Sequence, residues 1–66
     1  MSDAIYMILF RNNRAGTLSQ TAIIAASLSE ATTFGLRMMH GIRGCTHVMV
    51  FEKELEGGLT YAESIS

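Results

Sequence analysis

His40, Cys45 and His47 put three side chains able to bind a metal within eight residues of one another. A structural zinc site takes four ligands in a tetrahedron, commonly including closely spaced cysteines. This chain has one cysteine, and the fourth ligand would have to come from a distant carboxylate. The trio therefore reads as a small buried thiol beside two ordinary histidines. On a strand, Cys45 and His47 would share a face, as a thiol nucleophile and its base must. No oxyanion pocket or substrate cleft accompanies them, and a chain of 66 residues has little room for one. Gly57 and Gly58 do not open a helix, and Gly41 and Gly44 end one, so no phosphate-cradling loop is present. The expectation is a protein that is not an enzyme, with no metal and no cofactor.

Charge offers a second kind of chemistry. Arg11 and Arg14 flank Asn12 and Asn13 at a turn, a shape that enters a groove or clamps phosphates. Glu52, Glu54 and Glu56 are spaced by two, so a strand continuing that far would carry them as an acidic row on one face. Leu36 and Arg37 fall on the polar side of a helix. These nine residues are the candidates for contact with a partner. The net charge of −1 exerts no global pull toward nucleic acid or acidic lipid. Its distribution is uneven: residues 1–51 carry +2, and residues 52–66 carry −3.

The elements that must position these residues are short. Residues 4–10 are apolar at every position and too few for a helix, which reads as a strand. The run 11–16 is a turn, with Asn and Gly supplying positive φ, and residues 17–26 return as a second strand. Ser27 and Glu30 form a capping box at the start of a helix. Its apolar stripe runs through Leu28, Ala31, Phe34, Gly35, Met38, Met39 and Ile42. Gly41 suits the left-handed position at its end. A third strand runs from Cys45 or Thr46 to Lys53, residues 54–58 turn, and a weaker fourth strand alternates through Leu59, Tyr61 and Ile65. The fold class is α+β: a small antiparallel-rich sheet in the order β-β-α-β-β, with one helix packed on one face, forming a single domain over residues 1–66.

The apolar content exceeds what this fold hides. Nearly half of the residues are apolar (48%) and only 17% are charged, which argues against disorder. Successive strand residues point to opposite faces, and the runs 4–10, 22–26 and 48–51 are apolar at every position. One helix, about 10–12 Å across, covers two or three strands on one side only. The other side must meet a companion, and Tyr6, Ile8, Phe10, Met49 and Phe51 are the expected self-association residues of a homodimer. Which alternation lies under the helix is left open, because both are apolar. The single cysteine fits a reducing cytoplasm. The first apolar run is too short for a signal peptide or membrane span.

Residues 20–52 resemble a pattern found in very small phage-encoded proteins. A strand ends in Ala-Ser-Leu-Ser-Glu-Ala (residues 26–31), a short helix follows, and a strand of the type Thr-His-Val-Met-Val-Phe-Glu (residues 46–52) returns. The pattern is similar to that of the small phage inhibitor of host RNA polymerase and of some small anti-CRISPR proteins. That resemblance implies a non-enzymatic inhibitor occupying a surface of a host protein or ribonucleoprotein complex, in the host cytoplasm. The polymerase inhibitor carries basic residues on the strand after its helix. Here that strand has an apolar middle between His47 and Lys53, so no binding residue is carried over. Two alternatives stand beside this reading: a dimeric nucleic-acid-binding regulator using Arg11, Arg14, Arg37 and Arg43, and a small subunit of a ligand-binding oligomer.

Overall fold

The unbroken apolar run near the start becomes an inner strand of a four-stranded sheet. The computed structural model describes residues 3–66. Strand β1 (Ala4–Asn12) is followed by β2 (Gly16–Ala25), helix α1 (Leu28–Met39), β3 (His47–Lys53) and β4 (Leu59–Ile65). The sheet order is β2-β1-β3-β4, and every neighbouring pair is antiparallel. The expected α+β class and element order hold. Because β1 is antiparallel to both flanking strands, β2 and β3 run parallel to each other, with α1 as the crossover between them.

The turns use different chemistry from that expected. Asn12 Oδ1 accepts hydrogen bonds from the backbone N–H groups of Arg14 (2.8 Å) and Ala15 (2.9 Å), so the side chain imitates a backbone turn. No described residue other than glycine has positive φ; Gly16, at +83°, supplies the left-handed step. At the start of α1, Ser27 Oγ accepts from the Glu30 N–H at 3.2 Å, which forms the Ser27 half of the capping box. The helix end departs from expectation. Gly41 keeps an ordinary φ, and the left-handed glycine is Gly44 at +83°. Between them Gly41, Ile42 and Cys45 donate to the carbonyls of Met38, Met39 and Ile42 at 3.0–3.2 Å. The first two of these tighter three-residue bonds satisfy carbonyls that the helix leaves open.

The even-numbered residues of β1 and β3 lie under the helix. Tyr6, Ile8, Phe10, Val48 and Val50 are buried there with Ala25 of β2 and Ala31 of α1. The expected self-association set is corrected accordingly: Tyr6, Ile8 and Phe10 are core, enclosed by α1, while Met49 and Phe51 point the other way. Burial pushes the Tyr6 phenol pKa up, and the Glu52 carboxylate adds to the rise from its place opposite Tyr6 on β3. The helix stripe is narrower than its periodicity implies. Ala31 and Gly35 are buried, whereas Phe34 and Met38 remain 38% and 43% exposed.

Gly35 sets the distance between the layers. A Cβ at this position would stand 3.1 Å from Val48 Cγ1 and 3.4 Å from Ile8 Cγ2. Alanine would gain roughly 1 kcal/mol of helix propensity and spend it on that squeeze. A branched side chain has no such room, and overpacking of this kind costs about 1–3 kcal/mol. Urea unfolding of Gly35→Val is expected to show a loss of about 2 kcal/mol or more, with Gly35→Ala close to the parent. Full stability in the valine variant would mean that the helix does not approach the sheet this closely.

Candidate docking face and two charged ends

The face of the sheet away from α1 carries apolar residues over three successive rows, bordered by Gln20, Ser64 and Lys53. Ile5 pairs with Ile24. Met7 stands between Ala22 and Phe51, and Phe51 continues to Tyr61. Leu9 stands between Gln20 and Met49, and Met49 continues to Ser64. The Phe51 and Tyr61 rings meet edge to face, centroids 5.6 Å apart and planes at 68°, the preferred aromatic geometry. Ile24 is 69% exposed, Tyr61 53% and Ile5 41%. Met7, Leu9, Met49 and Phe51 are half-buried, although this face lies opposite the helix. Met49 and Phe51 of the expected set belong here; Ile5, Met7, Leu9, Ile24 and Tyr61 were missed. The odd-numbered alternation of β1 carries Ile5, Met7 and Leu9 but is no less apolar than the even one, and Ile24 and Tyr61 join them only through the strand pairing.

Topology gathers the charges at the two ends of the sheet. At one end the β1–β2 turn and the α1–β3 loop form one body. Asn12 Nδ2 donates to the Gly44 carbonyl at 2.6 Å. The Thr46 N–H donates to the Arg11 carbonyl at 2.8 Å, and the Asn13 N–H donates to Thr46 Oγ1 at 3.2 Å. Arg11 Nη1 donates to Thr17 Oγ1 at 2.7 Å, which anchors its guanidinium beside β2. Arg11 and Arg14 are thereby brought to the same end as Arg43, the neighbour of Gly44. Asn13 and Arg14 are exposed, while Arg11 and Asn12 are half-buried.

The opposite end is acidic. Strand β3 stops at Lys53, so of Glu52, Glu54 and Glu56 only Glu52 lies in the strand. The expected acidic row is corrected to an acidic turn. Its backbone closes through the Glu54 N–H on the Gly58 carbonyl (2.8 Å) and the Gly57 N–H on the Glu54 carbonyl (3.0 Å). Gly57, at φ +96°, makes the reversal, and Thr60 Oγ1 donates to the Glu54 carboxylate. A half-open hollow lies between residues 3–5 and 52–55, with Asp3, Glu52 and Glu54 on its walls and Lys53 among them.

The other candidates separate. Cys45 precedes β3 and packs against the core, its thiol donating to the His47 carbonyl at 3.3 Å, whereas the His47 side chain alternates with buried Val48. The His47 Nδ1 lies 2.9 Å from Thr46 Oγ1. Among the described residues, no group of three or more His, Cys, Asp or Glu is placed to hold a metal ion. Leu36 is half-buried and Arg37 exposed on α1. Among the described residues no helix is long and apolar enough to cross a membrane. Comparison with protein-family models, curated proteins and solved structures finds no match to this chain.

Asn12 is the residue on which the basic end depends, with three hydrogen bonds from one amide. A typical net contribution is about 0.5–1.5 kcal/mol per bond, less where water replaces the partner. Asn12→Ala is expected to lose about 1–2 kcal/mol in urea unfolding. Asn12→Asp should recover part of that, since it keeps the acceptor for Arg14 and Ala15 and loses the donor to Gly44. Equal stability of all three proteins would show that the turn holds itself.

Proposed function

We propose that this chain is a small, non-enzymatic interaction protein that associates through the open face of its sheet. In this reading it works as a homodimer whose outward surfaces occupy a host transcription or defence complex and inhibit it. The observation that carries the reading is the continuous apolar face of Ile5, Met7, Leu9, Ile24, Met49, Phe51 and Tyr61, opposite the side that α1 covers. Monomeric proteins rarely leave contiguous apolar patches beyond a few hundred Å². Closing the face leaves Phe34, Met38 and Arg37 of α1, and the Arg14 turn, directed outward for a second partner. The resemblance to small phage inhibitors supports the inhibitory part.

Light scattering over a concentration series tests the association. The parent protein is expected to rise from the 7.2 kDa of one chain toward twice that mass. Met7→Glu and Phe51→Glu should stay at the lower mass with unchanged helical circular dichroism. Loss of inhibition by the same variants, in transcription and RNA-guided nuclease assays that the parent protein blocks, ties the face to the activity. Association that survives both substitutions would overturn the reading.

The convergence of Arg11, Arg14 and Arg43 favours a second reading, contact with nucleic acid through phosphates. Such binding weakens steeply with salt, and a dimer doubles the basic ends. A gel shift at low salt that disappears as salt rises, and that fails in an Arg14→Ala, Arg43→Ala double variant, would support it. No complex at low salt would end it.

A further inference from the structure

We infer that the occupant of the open face is a second copy of this chain, stacked sheet on sheet with its strands reversed, so that the basic end of each copy lies over the acidic end of the other. The inference rests on the reading of the open face as a homodimer surface, and adds the orientation of the two copies. A closed homodimer has a two-fold axis. Two sheets stacked face to face with such an axis in the plane between them have two simple arrangements. With the axis along the strands, like ends coincide. With the axis across the strands, each end meets its opposite.

Charge decides between them. The end holding the β1–β2 turn carries Arg11, Arg14 and Arg43, and the far end carries Asp3, Glu54 and Glu56, with Glu52 on the α1 side of β3 and Lys53 on its open side. The formal balance is +3 at one end and −3 at the other. Axis-along-strand stacking would set +3 against +3 and −3 against −3 across sheets about 10 Å apart, within reach of a Debye length of about 8–10 Å. Axis-across-strand stacking instead brings the net-positive end of each copy over the net-negative end of the other.

The side chains fit the reversed arrangement. The row of Met7 and Phe51 then lies over the row of Leu9 and Met49 of the second copy, an apolar centre rich in adaptable methionine. The row of Ile5 and Ile24 lies over the Arg11 row, where the arginine stem, its guanidinium held on Thr17, can cover apolar surface. Four strands nearly 5 Å apart and about seven residues long make a face of roughly 20 by 23 Å. Two such faces, with the relief of their side chains, remove about 1,000 Å² from water, the lower limit for a specific association. The dimer is therefore concentration-dependent, and the charged ends contribute measurably to it.

Two measurements on the full chain test this. Raising sodium chloride from about 50 to 500 mM, which shortens the screening length from more than 10 Å to about 4 Å, is expected to weaken dimerisation several-fold. Like-end stacking, or a purely apolar contact, would be strengthened or unchanged. A spin label on Ala15→Cys, in a Cys45→Ser background, marks the basic end. Reversed stacking places the two labels at opposite ends, separated on the order of the 35 Å long dimension of the molecule. Like-end stacking places them about 10–20 Å apart, as sheets spaced about 10 Å require. Short distances in a dimer that Phe51→Glu abolishes would overturn the orientation and leave the association face standing. A protein that stays monomeric at high concentration, or a dimer indifferent to Phe51→Glu, would remove the face reading itself.

Discussion

One twelve-residue helix has to serve a four-stranded sheet, and most of the structure follows from how closely it can sit on one side. The closest approach is at Gly35, where an added methyl would press on Val48 and Ile8. Small residues on α1, Ala31 and Gly35, let the large ones come from the sheet: Phe10, Ile8, Val48 and Val50 are its largest fully buried side chains. The core is thus built mainly from one alternation of two central strands. A short chain buries only about 60% of its unfolded surface at best, and this one spends its single helix on the even-numbered side. The odd-numbered side remains as a second, unclosed half of a core.

That division explains what could be read from residue order and what could not. The elements were legible because each has a local cause: a dense apolar run, a Ser27 cap, a glycine-rich turn. The choice of face was not. Tyr6, Ile8 and Phe10 are as apolar as Ile5, Met7 and Leu9, so hydropathy alone gives no preference. Connection rules could settle it, because a crossover between parallel strands of one sheet is nearly always right-handed. Applying that rule to β2, α1 and β3 requires knowing that β1 lies between them, and strand order is a property of the assembled sheet. The miscast residues follow from this: three of the five expected self-association residues proved to be core.

The candidate site was partly legible for a similar reason. Arg11 to Arg14 were recognisable as an exposed turn, but Asn12 was expected to act through backbone conformation and instead acts through its amide. Its bond to the Gly44 carbonyl spans thirty-two residues, a relation no local pattern carries. The acidic residues illustrate the converse. Their spacing of two implied one strand face, yet spacing makes a row only while the strand lasts, and β3 ends at Lys53. Phe34 and Met38 fit the helical period of the core stripe, but a helix resting on small residues at Ala31 and Gly35 touches the sheet along a narrow line, and larger neighbours at its margin stay partly in water.

Chain reversal at each end is what makes the molecule two-signed. Strand β1 leads to a turn at one end, and β2 and α1 carry the chain away and back, so the α1–β3 loop falls beside that same turn. Arginines thirty residues apart in sequence therefore share one end, while the start of β1 and the β3–β4 turn share the other. The unclosed apolar face lies between two poles of opposite sign. An apolar surface alone is indifferent to direction, since burial depends on area and not on orientation. In the proposed dimer, charges at the poles supply the direction that the apolar rows lack, as complementary potentials set register at interfaces. Under that proposal stability and assembly are one equilibrium: whatever closes the open face stabilises the folded chain by mass action, and a substitution at Phe51 would act on both together.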